Sequence, residues 1–200
     1  TGCKSLFIGF ETINAENLAC CAKGQNKVDE YDRLVEAVHS RGMMVNASVA
    51  FGFDHDGPDI FARTLEWLTT RKIESMTAHI LTPYPGTVFH EELTAQGRIL
   101  DTDYRRYNTA YAVFEPKGMT RKQLQDGYHW IYKQFYSFRH ITKRYPGGAK
   151  QRTAYLAFNL GYRKFGKLTS RLASIIPFHT LGRLGRRIAY HRTRKPHTRA

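Results

Sequence analysis

The stretch Met43-Met44-Val45-Asn46-Ala47-Ser48-Val49-Ala50-Phe51-Gly52-Phe53 decides how this chain folds. It is a nearly continuous apolar run, the pattern of a strand covered on both faces. Arg41-Gly42 immediately before it gives a basic last turn and a C-terminal glycine to a helix over residues 28–40. That helix carries Leu34, Val35 and Val38 at helical spacing. On the other side, Asp54-His55-Asp56-Gly57-Pro58 is a polar loop, and residues 59–71 put Ile60, Leu65 and Leu68 on one side of a second helix. Further out, residues 5–10 (Ser-Leu-Phe-Ile-Gly-Phe) and 75–81 read as two more buried strands. Glu11-Thr12 ends the first of these, and a polar loop follows with Thr12 and Asn14 as candidate helix caps. Pro83-Tyr84-Pro85-Gly86 is a rigid turn, and Thr87 caps a short helix through Gln96.

Strands alternating with helices imply parallel pairing and right-handed crossovers. An open doubly wound sheet and a β/α barrel both satisfy that order. Three features favour the barrel. Polar residues stand at each strand's C-terminal end, Asn46 and Ser48 lie inside a strand, and no glycine-rich dinucleotide loop occurs. Three strands cannot close a barrel, so the expected fold class is α/β, a partial barrel of three parallel strands followed by a mainly helical extension.

The expected divisions are 1–100 for the barrel part, 101–148 for an aromatic-rich segment with a long helix, and 149–200 for a basic tail. The segment holds Tyr104, Tyr107, Tyr111 and Phe114; the helix spans residues 123–144, opens at Thr120 and buries Leu124, Ile131, Phe135 and Phe138. Tyr145-Pro146-Gly147-Gly148 ends it. Apolar residues make up 42% and charged residues 24% of the 200, enough for a real core and unlike a disordered chain. No apolar run approaches the roughly 18–20 residues that span a bilayer. Thr1-Gly2-Cys3 leads straight into Leu6-Phe7-Ile8 without Met or a signal pattern, so the chain is expected to begin inside a domain of a longer protein.

The net charge of +14 is uneven. Residues 1–100 hold 9 Lys/Arg against 13 Asp/Glu, whereas residues 101–200 hold 22 against 4. From residue 146 onward there are 13 basic side chains and no acidic one. The front reads as an enzyme-type domain and the back as a basic appendage. Cys3, Cys20 and Cys21 are too few and too badly spaced for a disulfide framework, which suggests a cytoplasmic protein.

Three stretches resemble the C-terminal half of the catalytic barrel in radical S-adenosylmethionine enzymes, above all the subgroup with a cobalamin-binding domain. They are Ile8-Gly9-Phe10-Glu11-Thr12, Val49-Ala50-Phe51-Gly52-Phe53-Asp54 and Leu81-Thr82-Pro83-Tyr84-Pro85-Gly86-Thr87. The last is the most specific, and residues up to about 145 look like the extension that follows the barrel in that subgroup. The resemblance implies S-adenosylmethionine, a [4Fe–4S] cluster and cobalamin as cofactors. It implies reductive cleavage to a 5′-deoxyadenosyl radical, with methyl transfer, rearrangement or ring chemistry on a small-molecule or lipid-like substrate. The family's three-cysteine cluster loop, with gaps of three and two residues, does not occur in this sequence. That loop, the first half of the barrel and the cobalamin domain are expected upstream, so the chain by itself should be inactive.

By the same resemblance, Glu11 and Thr12 fall where polar groups meet the ribose and methionine end; the alternative is a helix cap or a rim charge. Asn46 and Ser48 alternate along one strand face. They reach a bound cofactor if that face points inward, and otherwise are core polar groups satisfied by backbone. Phe51 and Gly52 close the strand, where glycine permits close backbone approach to adenine or simply serves the turn. Leu81 and Thr82 resemble the place where backbone meets adenine, and Tyr84 either faces substrate or plugs the barrel mouth. Asp54-His55-Asp56 is not expected to hold a metal, since adjacent loop residues rarely converge on one ion. In the tail, Tyr155, Phe158, Tyr162 and Phe165 keep helical spacing, and residues 150–166 are expected to pack on the barrel. For residues 167–200, peripheral association with an anionic membrane surface ranks ahead of nucleic acid. The alternative for the whole chain is a non-catalytic basic module binding membrane or RNA.

Overall fold

The computed structural model describes residues 2–20, 27–146 and 151–175, with Cys20 and residues 165–175 as backbone alone. Three strands, β1 (Ser5–Glu11), β2 (Met44–Phe51) and β3 (Ser75–Ile80), form one parallel sheet in the order β1-β2-β3. Among the described residues the sheet is therefore open, an α/β partial barrel as the strand–helix alternation predicts. Seven α-helices accompany it among the described residues: α1 (Ala15–Cys20), α2 (Tyr31–Ser40), α3 (Ile60–Thr70), α4 (Val88–Ala95), α5 (Arg121–Phe135), α6 (Phe138–Lys143) and α7 (Arg152–Ile175). None of them is long and apolar enough to cross a membrane. The chain forms two compact units, Thr1–Asn159 and Leu160–Ala200.

Alternation gives the sheet two different faces. Ile8, Phe10, Val45, Ala47, Val49, Phe51, Met76, Ala78 and Ile80 share the face that packs into the core with Val35 and Val38 of α2 and Leu65 and Leu68 of α3. Phe10 is held edge-on by Tyr31 and Trp67, with ring centroids at 4.9 and 5.0 Å. The register puts Phe7, Asn46 and Ser75 on one rung of the opposite face, and Gly9, Ser48 and Thr77 on the next. The sheet thus has one apolar face in the core and an opposite face of mostly small and polar residues.

The extension seals one edge of this sheet. The N–H and C=O of Met76 bond to the Tyr136 hydroxyl at 3.4 and 3.0 Å, and those of Ala78 bond to the Tyr132 hydroxyl at 2.9 and 3.2 Å. Four residues of helix rise about 6 Å, and two residues of strand about 6.6 Å, so tyrosines one turn apart match alternate strand residues. Ile80 N–H completes the edge by donating to Thr109 C=O at 2.7 Å. Replacing both Tyr132 and Tyr136 by Phe leaves four edge groups without these partners. We expect a loss of about 2 kcal/mol in urea unfolding; an unchanged midpoint would show the hydroxyls to be dispensable.

Several sequence expectations need correction. The helix expected over residues 123–144 is two helices, because Ser137 adopts extended backbone and its hydroxyl accepts from His140 N–H as the cap of α6. Phe138, expected in the core, is 59% exposed just after that break. Leu34 is likewise exposed, leaving Tyr31, Val35 and Val38 as the buried stripe of α2. Cys20 is the last residue of α1. In the part of α7 that belongs to the first unit, Tyr155 and Asn159 are buried and Phe158 is exposed. Cys21, Gly147-Gly148, the Phe165 side chain and residues 176–200 with their membrane reading lie outside the described residues.

Candidate functional site

Glu11 is the first residue the fold singles out. The β1–β2 register slips between Gly9 and Glu11, and Glu11 has φ 64°, a left-handed conformation uncommon for a residue with a side chain. The result is an inward aim. A Cβ on Gly9 would point to the polar face and lie 2.8 Å from Glu11 Oε1, so the carboxylate folds over the space a glycine leaves. Backbone strain of this kind persists where surrounding structure enforces it, and it concentrates at functional sites.

Ser48 stands level with Gly9, and Asn46 one rung deeper, about 6–7 Å further from the C-terminal rim. Both therefore lie on the inner polar face, as their alternation predicts. Asn46 Oδ1 is buried without a hydrogen-bond partner among the described residues, a costly state unless a further group meets it. His79 lies on the same face, level with Ala50 and within electrostatic reach of Glu11. Its Nδ1 is 3.2 Å from Thr109 Oγ1, and Thr109 also has left-handed backbone, φ 66°. Burial pushes the imidazole below its ordinary range, against the opposing pull of Glu11, so it is neutral at pH 7. Sequence reading missed His79, although alternation with the apolar Met76, Ala78 and Ile80 puts it on the opposite face.

The rim loops form a hydrogen-bonded unit. Asp56 is fully buried and accepts from Gly52 N–H at 3.0 Å, Phe53 N–H at 3.1 Å and Asn17 Nδ2 at 2.6 Å. Burial raises its carboxyl to about 6, with the three hydrogen bonds opposing. Asn17 Oδ1 accepts from His55 N–H at 3.1 Å, and Asn14 Nδ2 donates to His55 C=O at 3.0 Å. Asp54 turns the other way, to Arg98 at 2.8 Å and Lys117 at 2.6 Å. Its burial would raise the carboxyl, but these hydrogen bonds and charges outweigh that and hold it below the usual range. His55 is half exposed, 3.6 Å from Glu16. The three consecutive side chains thus go three ways.

The other expected residues fare differently. Thr12 is buried, and its hydroxyl accepts from Asn14 N–H at 3.1 Å, a local turn contact. Phe51 is a correction: its ring is in the core, 4.6 Å from Phe61, on the face opposite Ser48, because even one residue of alternation reverses the side. Gly52 has φ 98° and its missing Cβ would sit 3.0 Å from Leu124 and 3.3 Å from Phe114, so turn geometry and packing require the glycine. Leu81 N–H donates to Phe51 C=O at 2.9 Å, joining the β2 and β3 ends, and Thr82 Oγ1 donates back to Ile80 C=O at 3.1 Å within its own segment. Tyr84 is 46% exposed in the proline turn, outside the core.

Against cofactor chemistry, these residues divide clearly. A ribose diol and an amino-acid end require acceptors and small polar groups, and Glu11, Ser48, Asn46 and His79 offer that set on one face. An iron–sulfur cluster requires thiolates. Among the described residues no three His, Cys, Asp or Glu side chains converge as metal ligands, and Cys3 is exposed ahead of β1, at the opposite end of the strand from Glu11.

No family model matches the chain. Among curated proteins it is 31% identical over 147 residues to bacteriochlorophyllide d C-12(1)-methyltransferase of Chlorobaculum tepidum, covering 74% of this chain and 32% of that protein. It is 25% identical to bacteriochlorophyllide d C-8(2)-methyltransferase of the same organism, over 72% of this chain and 32% of the relative. With hopanoid C-2 methylase of Rhodopseudomonas palustris the identity is 24%, over 54% and 21%. The chain spans about a third of the length of the first two relatives.

Proposed function

Because this chain belongs to the radical S-adenosylmethionine superfamily, we propose that it is the C-terminal part of the catalytic barrel in such an enzyme and cradles S-adenosylmethionine on its polar sheet face. The observation that carries this reading is the Glu11 carboxylate, turned inward by a strand irregularity and a left-handed backbone to lie over Gly9. Glu11 accepts hydrogen bonds from the cofactor's hydroxyl or ammonium groups, Ser48 borders it, and Asn46 offers its unpartnered oxygen deeper in the barrel. His79, neutral and braced by Thr109, adds a polar contact beside Glu11. S-adenosylmethionine bound this way supplies radical chemistry when it is reductively cleaved at a cluster.

The remaining parts are proposals of the same account. The cluster loop and the first strands of the barrel belong to an upstream segment that pairs with β1, since β3 is covered by Tyr132, Tyr136 and Thr109. The reaction is methyl transfer to carbon, on the model of the named relatives, with a tetrapyrrole or lipid-like substrate and Tyr84 at its entrance. Cobalamin as methyl carrier rests on the subgroup resemblance. The basic C-terminal tail, with 13 Lys/Arg after residue 145, holds the protein at an anionic membrane surface from the cytoplasmic side.

Anaerobic reconstitution with iron and sulfide, read by visible absorbance, tests the division of labour. The full-length protein is expected to take up a cluster and cleave S-adenosylmethionine, and the 200-residue chain alone to take up none. A stoichiometric cluster held by Cys3, Cys20 and Cys21 of the short chain would overturn the strand register and the site built on it.

A further inference from the structure

The strained backbone at Glu11 needs a restraint, and the two rim loops contain one. A residue with a side chain relaxes out of the left-handed region unless its flanks are fixed. On the upstream side Glu11 is fixed by β1. Downstream, the chain turns through Thr12 into α1, and that helix is tied to the loop after β2 at three points. These are Asn14 Nδ2 to His55 C=O, His55 N–H to Asn17 Oδ1, and Asn17 Nδ2 to Asp56 Oδ1. Asp56 in turn binds Gly52 and Phe53 N–H, which belong to the end of β2. The extension closes the arrangement from outside: a Cβ on Gly118 would meet Asp56 C=O at 2.4 Å, so the loop cannot back away. Asn17 and Asp56 are 1% and 0% exposed, which makes their contact a dry one and expensive to break.

We propose that the buried Asn17–Asp56 pair is a positioning device that locks the loop after β1 to the loop after β2 and so holds Glu11 in its inward, cofactor-facing conformation. The inference rests on the reading that Glu11 meets S-adenosylmethionine, and it adds that Asp56, which lies in the core of the rim, governs that contact at a distance. The pair has a chemical property that makes it testable. Asp56 only accepts, while Asn17 donates to Asp56 with one end of its amide and accepts from His55 with the other. Exchanging the two residues preserves every bond: Asn at 56 accepts from Gly52 and Phe53 and donates to Asp at 17, which still accepts from His55. Each single substitution instead sets amide against amide or carboxylate against carboxylate.

The experiment is calorimetric titration of S-adenosylmethionine into the reconstituted full-length protein and its D56N, N17D, N17D/D56N, E11Q and E11Q/D56N variants. E11Q and D56N are each expected to weaken binding about tenfold, the worth of one charge-assisted hydrogen bond. The exchanged pair N17D/D56N should return to within about threefold of the wild type, since additive losses would not. E11Q/D56N should be no weaker than E11Q, because a misplaced glutamate and an absent one cost the same. If D56N does not fold, the exchanged pair still decides the matter through its own affinity. Weak binding by a folded N17D/D56N, or strictly additive losses in E11Q/D56N, overturns the proposal. Normal binding by E11Q overturns the site reading itself, and the positioning role with it.

Discussion

Substituting Arg144 by Met should destabilise the protein by about 3–5 kcal/mol, because several buried acceptors lose a donor at about 1–3 kcal/mol each. Arg144 directly follows α6 and is fully buried. One guanidinium nitrogen donates to the carbonyls of Ile73 and Glu74 at 2.7 and 3.1 Å. The other donates to Phe135 C=O at 2.7 Å and Asn159 Oδ1 at 3.2 Å. Phe135 C=O is at the end of α5, where carbonyls have no partner within the helix and carry its negative pole. The guanidinium also lies 3.5 Å over the Phe135 ring. Burial lowers its pKa to about 10, with Tyr155, Tyr136 and Glu74 opposing, so it stays protonated at neutral pH. One cation thus joins the ends of α5 and α6, the residues leading into β3, and the first turns of α7. Methionine fills the volume but takes the donor from Ile73 C=O, Phe135 C=O and Asn159 Oδ1, while Glu74 C=O keeps Asn159 Nδ2 at 3.0 Å. Lysine should rescue little, because a point charge cannot reproduce the planar fork. Thermal unfolding of the full-length variant measures this; a melting temperature within a degree of wild type would show the network to be redundant.

Gly127→Ala comes second, with a loss of about 2–3 kcal/mol from overpacking. On an exposed helix face the same change would stabilise by about 1 kcal/mol. Here a Cβ would lie 2.1–2.4 Å from three atoms of the Phe61 ring, far inside contact distance. That ring is buried and packed at a tilt against Phe51, with centroids 4.6 Å apart, so it has little room to move. α5 must slide away from α3, and with it Tyr132 and Tyr136 from the β3 edge. Urea unfolding that shows a more stable Gly127→Ala protein would refute the close helix approach.

How much of this was legible in the sequence follows from where the information resides. Residues 5–10, 43–53 and 75–81 are strands because continuous apolar runs between helical repeats admit little else, and their bounds move by only one or two residues. Asn46 and Ser48 could be placed on one face from alternation alone. The same rule puts Phe51 on the other face and His79 on theirs. The irregularity at Glu11 has no local signature beyond Gly9, since register is a property of the pair of strands. Nor could the partners of Asp56 be read, because Asn17 lies 39 residues away in sequence and only the fold joins them. The break at Ser137 was readable: a serine followed three residues later by His140 is a cap, but the surrounding helical pattern masked it.

The central claim is that the polar face of this sheet receives S-adenosylmethionine through Glu11, and one affinity tests it most directly. Calorimetric titration of the cofactor into the anaerobically reconstituted full-length protein should give binding about tenfold weaker for Glu11→Ala than for wild type, the loss of one charge-assisted contact. The folded fraction should be the same in both, since the carboxylate lies over Gly9 on the inner face and not in the core. Equal affinity of the two proteins would remove Glu11 from the site and contradict the account.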